Sequence, residues 1–170
     1  VNPPVQLAAM RDSLIRCRDR FRKIPVRKDR NFPLIGIVGE IFCRLHAFSN
    51  EDLVRRLEEY EAEAWISDIC EWVWYTIAEQ FRKLALVRKK YSFEAVKTWV
   101  RKKVQAHDEH VLLETVKQDL ADRMEPDINE VIECARPYLP VDGAMGEMVL
   151  NVGKTVYLAR KGVHGIIDIS

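Results

Sequence analysis

Three short runs of consecutive apolar residues interrupt a chain whose remaining apolar residues are mostly spaced for helices. The first run, at the start of "LIGIVGE" (residues 34–40), covers 34–38 and ends at Gly39. A continuous apolar run without polar alternation is typical of a strand that is buried on both faces, as in parallel sheets. Similar runs predict strands at 63–68, in "AEAWISDI", and at 165–169, in "HGIIDIS".

The segments between these strands carry apolar residues at helical spacing and several helix-start signals. Ser49 precedes three polar or acidic residues and is predicted to cap a helix, with "EIFCRLHAF" as the loop before it. Ser92 is predicted to cap a long helix that breaks near His107, and Gly162 to end the last helix. The other predicted helices cover 5–23, 71–86, 126–137 (Pro126 in its first turn) and 146–161.

Two of these helices have apolar positions that predict a buried side. In the first helix these positions are Leu7, Met10, Leu14 and Phe21. In the long helix after Ser92 they are Phe93, Val96, Trp99, Val100, Val104, Val111, Leu112, Val116 and Leu120. We therefore expect both helices to pack these residues into a core.

The order of elements predicts the fold class. Strand, helix and strand at this spacing form a right-handed βαβ unit. We expect a single α/β domain over 1–170, a three-layer, Rossmann-like open parallel sheet in order 2-1-3 with helices on both faces. Residues 87–140 form a helical insertion between strands two and three. Such sheets bind ligands at the carboxyl ends of their strands, which here are Gly39-Glu40, Asp68 to Cys70, and Ser170.

The stretch "MGEMVLNVGKT" ends like a phosphate-binding P-loop, in Gly153, Lys154 and Thr155. The first glycine of that motif is missing, because Met148 stands in its place, and a turn rather than a strand precedes the stretch. We predict that the Gly-Lys-Thr lies inside a helix and binds no phosphate.

Composition is that of an ordinary globular protein, with 48% apolar residues, 31% charged residues and a formal net charge of +1. The charge is unevenly spread, because residues 1–30 and 82–103 are strongly basic and the rest is acidic. We interpret the basic segments as solvated helix faces and expect no nucleic-acid partner, since no nucleic-acid-binding module accompanies them. No apolar run is long enough to predict a membrane span.

The four cysteines are widely spaced and form no C-x-x-C pair, which is typical of a cytoplasmic protein. The chain starts at Val1 and stops at Ser170, directly after an apolar run. We expect it to be a piece of a longer multidomain protein, whose remaining domains are its first partners.

Several residues are candidates for chemistry, and each has a structural alternative. Cys70 is a candidate metal ligand and Cys43 a weaker one. The alternative is that each is a buried structural cysteine, which is common in proteins. Glu40 and Glu147 follow glycines and suit acid–base work or ligand binding, but helix capping explains them as well. One of Trp72 and Trp74 contacts a partner, or both lie on a broad buried face.

The stretch "PLIGIVGEIFCRLHAFSNEDLVRRLEEYEAEAWISDICEW" resembles proteins related to the activators of acyl-CoA dehydratases and to the D component of 2-hydroxyglutaryl-CoA dehydratase. The shared features are the Gly-Glu after the first strand, the "FSN" segment, and a second strand leading into "CEW". "GEMVLNVGK" followed by "GVHGIIDIS" is similar to the closing αβ unit of that family. The resemblance spans about 33–170.

The resemblance implies a module that supports a [4Fe-4S] cluster in the full-length chain, with Cys70 as a ligand. It also implies acyl-CoA as a ligand near Gly39, Glu40, Gly146 and Glu147, and an ATP-dependent activase as a partner. Dehydratases of this family remove water from 2-hydroxyacyl-CoA by a radical route. The family's next segment carries a further cysteine, so we expect residues 1–170 alone to hold no cluster and catalyse nothing, with Cys70 as a partly buried thiol. The alternative is a non-catalytic interaction or regulatory module.

Overall fold

The computed structural model describes residues 3–26, 31–144 and 146–170, and all structural statements below refer to these residues. In chain order the elements are α1 (Pro3–Phe21), β1 (Leu34–Gly39), α2 (Ile41–Leu45), α3 (Leu53–Glu59), β2 (Glu63–Ile66), α4 (Ile69–Leu86), α5 (Phe93–Leu113), a short 3-10 helix (Ala121–Arg123), α6 (Ile128–Ala135), α7 (Met148–Arg160) and β3 (Gly165–Ile169).

The chain divides into two compact units. The helical unit comprises Val1–Arg30 and Lys89–Met124, and the α/β unit comprises Asn31–Arg88 and Glu125–Ser170. The first helix of the chain therefore belongs with the inserted helix α5, although the two are far apart in sequence.

The sheet of the α/β unit is parallel throughout, in the order β2-β1-β3, as predicted. The central strand β1 pairs with β2 from Leu34 opposite Glu63, and with β3 from Ile35 opposite Gly165. Its residues from Gly36 to Gly39 are buried, which agrees with the unbroken apolar run. An open α/β fold with helices around a parallel sheet is therefore present.

The core of the α/β unit has two parts. Val38 and Trp65 of the sheet pack with Tyr157 and Leu158 of α7 and with Cys134 of α6. Residues of α4, α6 and α7 form the second part; its fully buried members include Val131, Ala135, Val149 and Leu150. Trp72 and Trp74 both pack against this second part, so the broad buried face of α4 accounts for both tryptophans.

Helix starts and ends follow the sequence signals in most places. Asp68, Ser92 and Asp127 accept backbone N–H groups in the first turns of α4, α5 and α6. Gly162 has a positive φ of 80° directly after the C-cap of α7, which is the conformation that favours glycine. Pro126 precedes the N-cap Asp127 instead of lying in the first turn, because the helix begins at Ile128.

The segment between β1 and β2 differs from prediction. "EIFCRLHAF" is not a loop, because Ile41–Leu45 forms helix α2. Ser49 does not cap α3; its hydroxyl pairs with the His46 ring instead. Asn50 instead connects the end of α2 to the start of α3. Its side-chain carbonyl accepts from the Leu53 N–H, and its side-chain amide donates to the carbonyl oxygens of Cys43 and Arg44.

The helical unit departs most from the predicted burial. Helix α5 runs through His107 without a break. Its buried residues are Ala95 and Thr98, whereas the apolar residues expected in a core are exposed at five positions of the helix and at Leu120. The five are Phe93, Val96, Trp99, Val100 and Val104. Met10 and Phe21 of α1 are also exposed, so periodicity alone gave the wrong buried faces here.

Candidate functional site

The carboxyl edge of the sheet in the α/β unit is the place where open α/β folds bind ligands. β1 ends at Gly39, β2 at Ile66 and β3 at Ile169, and α2 and α4 begin directly after the first two strands. The edge is therefore bordered by the N-terminal ends of two helices and by the end of β3.

Gly39 is required at this edge by the backbone. Its φ is +118°, and a Cβ atom at this position would overlap the carbonyl oxygen of Ile169. The same oxygen accepts a hydrogen bond of 2.8 Å from the N–H of Glu40. Close approach of β1 and β3 therefore explains the glycine, whether or not it also faces a ligand.

Glu40 acts as the N-cap of α2. Its carboxylate accepts a hydrogen bond of 2.8 Å from the Cys43 N–H, which satisfies a donor in the first turn. Burial, together with the neighbouring Glu40 carboxylate, raises the pKa of the Cys43 thiol. The raised pKa disfavours the thiolate of Cys43, which is the form that binds metals.

Cys70 lies in the first turn of α4, immediately after the edge. Its side chain is exposed, not partly buried as predicted. The turn around it is fixed by Asp68, whose carboxylate accepts from the Glu71 N–H at 2.8 Å. Of the two cysteines near the edge, Cys70 is the more exposed, because Cys43 is half-buried.

Gly146 and Glu147 lie before α7 and contact α4. The Tyr75 hydroxyl donates to the Gly146 carbonyl at 2.9 Å, and the Trp72 indole donates to the Glu147 carboxylate at 2.6 Å. The second carboxylate oxygen of Glu147 is buried and has no hydrogen-bond partner among the described groups. These two predicted residues thus fasten the start of α7 to α4, at positions two and five residues beyond Cys70.

A buried network of four charged side chains, which we call the ionic core, was not predicted. It consists of Arg44 on α2, Glu71 on α4, Lys154 on α7 and Glu125 before α6. Arg44, Glu71 and Lys154 are each no more than 4% exposed. Two cations therefore face two carboxylates in the interior, where an unpaired charge is costly.

The contacts of the ionic core link α2, α4, α7 and the segment before α6. The Lys154 ammonium lies 3.0 Å from one Glu71 oxygen and pairs with Glu125, and the Arg44 guanidinium lies 3.5 Å from the other Glu71 oxygen. Arg44 also donates to the carbonyl of Asp68 at 3.4 Å. The network thereby holds the start of α4, which carries Cys70, against α2 and α7.

Glu125 is the carboxylate of the ionic core nearest to solvent. Burial raises the pKa of its carboxyl group, and the nearby charges of Glu71 and Asp68 act in the same direction. The ammonium of Lys154 opposes this rise but does not cancel it. Proton uptake by the ionic core is therefore expected at Glu125.

The Gly-Lys-Thr segment lies inside α7, as predicted. Gly153 is needed because a Cβ atom there would overlap the carbonyl oxygen of Val131 on α6. Lys154 points into the ionic core and is 1% exposed. The prediction that this segment binds no phosphate stays a prediction.

Two sequence signals could have pointed to the ionic core. Asp68 and Glu71 have the spacing of a capping box, which marks a helix start at the end of β2. Lys154 shares the helix face of Leu150, Tyr157 and Leu158, and a lysine on an apolar face requires a partner. No signal in the sequence pairs Arg44 with either of them.

Within the described ranges, no group of three or more His, Cys, Asp or Glu side chains is arranged to hold a metal ion. A [4Fe-4S] cluster needs about four ligands, and the expectation that residues 1–170 alone hold no cluster stays a prediction. None of the described helices is long and apolar enough to cross a membrane.

Comparisons with protein families, with curated proteins and with solved structures found no match to this chain.

Proposed function

We propose that this chain is a dehydratase-like module of a protein related to acyl-CoA dehydratases and their activators. In this proposal the carboxyl edge of the sheet, with Cys70 at its border, supports an iron–sulfur redox site of the full-length protein. Residues 1–170 contribute one ligand and a rigid frame and are inactive alone. The exposed position of Cys70 directly after β2 is the observation that carries the proposal.

The arrangement of side chains around Cys70 supports this role. Asp68 fixes the first turn of α4, and the ionic core fixes that turn against α2. A metal ligand must be held in a set orientation by its surroundings. The neighbouring Cys43 is less suited, because burial and the adjacent Glu40 carboxylate raise the pKa of its thiol.

In this proposal the described residues supply one ligand, Cys70, and the rest of the full-length protein supplies the others. These residues order the carboxyl edge of the sheet. Gly39 lets β1 and β3 approach closely, Glu40 starts α2, and Glu147 ties α7 to α4. Any further ligand would have to come from outside this set.

The test uses full-length protein purified without oxygen and assayed for iron and acid-labile sulfide. We expect both in the unaltered protein, loss of both in Cys70→Ser, and retention in the matched variant Cys43→Ser. Residues 1–170 alone should be folded and colourless. An iron-free full-length protein, or a cluster that survives Cys70→Ser, would contradict the proposal.

A second candidate function is a non-catalytic module that docks a partner at the same edge. Phe42, Leu45 and Phe48, in and after α2, and Ile69 at the start of α4 are all exposed apolar side chains. Such a group is typical of a contact surface. An iron-free full-length protein whose binding to its activase is weakened by Phe48→Asp would favour this function.

A further inference from the structure

The outward face of helix α5 in the helical unit carries an exposed apolar stripe. The stripe consists of Phe93, Val96, Val100 and Val104, which are between 48% and 71% exposed. With 3.6 residues per turn these four lie within about 80° of the helix surface, on the side opposite to the buried Ala95 and Thr98. The stripe spans about three turns, or about 16 Å.

Cations border this stripe on both sides. Lys97 and Arg101 lie on one flank, and Lys103 on the other. Lys97 lies 4.6 Å from the centre of the Phe93 ring, and Lys103 lies 5.8 Å from the centre of the exposed Trp99 ring. Glu94 is the one acidic residue within 93–104, and it pairs with Lys97.

We propose that this stripe is a docking site for an acidic amphipathic helix of a protein partner. Such a helix would place apolar side chains on the four stripe residues and carboxylates beside Lys97, Arg101 and Lys103. Interfaces of this kind combine an apolar seam with complementary flanking charges. This surface is separate from the carboxyl edge of the sheet, so it stands whether or not the proposed redox function holds.

The charges and side-chain types select this occupant over two others. A second copy of the chain, facing the first through the same stripe, would bring like charges together on both flanks. A membrane surface would favour bulky side chains that insert into lipid, whereas three of the four stripe residues are valines. Valine suits the side-chain packing between two helices.

The test measures binding of a fluorescent four-heptad peptide with leucine at its core positions and glutamate at its flanking positions. A peptide with lysine at the flanking positions is the matched probe. We expect the acidic peptide to bind the full-length protein and the basic peptide not to bind. Val100→Asp should weaken binding at least about tenfold. Val5→Asp, the same change at an exposed position of α1, should leave binding unchanged.

A charge-reversed variant sharpens this test. Changing Lys97, Arg101 and Lys103 together to Glu should transfer binding from the acidic to the basic peptide. Circular dichroism checks that each variant is folded. Equal binding of both peptides, no binding of the acidic one, or full binding by Val100→Asp would overturn the proposal. So would binding to phosphatidylserine vesicles without binding to the acidic peptide.

Discussion

The two units of this protein treat charge and apolar surface in opposite ways. The α/β unit buries an ionic core of Arg44, Glu71, Lys154 and Glu125 beside its apolar core. The helical unit leaves the apolar stripe of α5 exposed, and its charged pairs lie near the surface. In the α/β unit, therefore, a charged residue can be buried. In the helical unit, an apolar residue can be exposed.

This contrast also separates the two surfaces for which we propose a function. At the carboxyl edge of the sheet, interior contacts fix the backbone around Cys70, which suits a site that needs set geometry. On α5, the apolar stripe is presented by a helix whose own buried residues are small. Such a stripe suits a partner that packs against it and buries it.

The largest expected effect comes from breaking the ionic core. Lys154→Ala leaves Glu125 without its cation and Glu71 with Arg44 alone, so we expect a loss of about 3–5 kcal/mol in the free energy of unfolding. Lys97→Ala removes an exposed ion pair on α5 and should cost less than about 1 kcal/mol. Urea unfolding followed by tryptophan fluorescence compares the two. Equal losses in the free energy of unfolding for Lys154→Ala and Lys97→Ala would contradict the contrast between the units.

A valine pair tests the apolar side of the same contrast. Val149→Ala removes methyl groups from the core of the α/β unit and should cost about 1.5–3 kcal/mol. Val104→Ala makes the same change on the exposed stripe and should change the free energy of unfolding by no more than about 0.5 kcal/mol. A larger loss at Val104 would mean that the stripe is covered within the protein.

Two carboxylates are expected to respond to pH with opposite signs. The hydrogen-bonded Arg22 guanidinium lowers the pKa of Asp119 below its ordinary value of 3.8, whereas burial raises the pKa of Glu125 above 4.5. The stability contributed by Asp119 is therefore complete above pH 3.8 and is lost as the pH falls through its lower folded pKa. The contribution of Glu125 is complete below pH 4.5 and is lost as the pH rises through its higher folded pKa.

Carbon-detected NMR titration of the two carboxyl groups checks this prediction directly. Asp119→Asn should remove the acid-side loss in the helical unit, and Glu125→Gln should remove the loss at rising pH in the α/β unit. Shifts of the two pKa values in the same direction would contradict the prediction that Arg22 lowers the pKa of Asp119 while burial raises that of Glu125.

The smallest effect concerns thiol reactivity and leaves stability unchanged. Cys70 is exposed, whereas the pKa of Cys43 is raised and Cys134 is buried. We expect iodoacetamide at mildly alkaline pH to modify Cys70 before Cys43, and Cys134 last. Mass spectrometry of peptides from briefly treated protein gives the order. Faster modification of Cys43 than of Cys70 would contradict this prediction. The more reactive thiol of the edge would then be on α2, not on α4.

The sequence by itself determined the sheet and most helix ends. Short apolar runs predicted three parallel strands in the order 2-1-3, and the run of the central strand fits a strand covered on both faces. Ser92, as the cap of α5, and Gly162, after the end of α7, were also predicted, since capping depends on contacts within one turn. These are local properties that neighbouring residues fix.

Only the tertiary structure decided which faces are covered. Periodicity groups Phe93, Val100 and Val104 on one side of α5, but it does not say whether another element packs against that side. In the same way, Lys154 and Arg44 are buried because carboxylates from distant parts of the chain meet them. Burial depends on contacts between elements, and a single sequence records the residues of such contacts without recording their pairing.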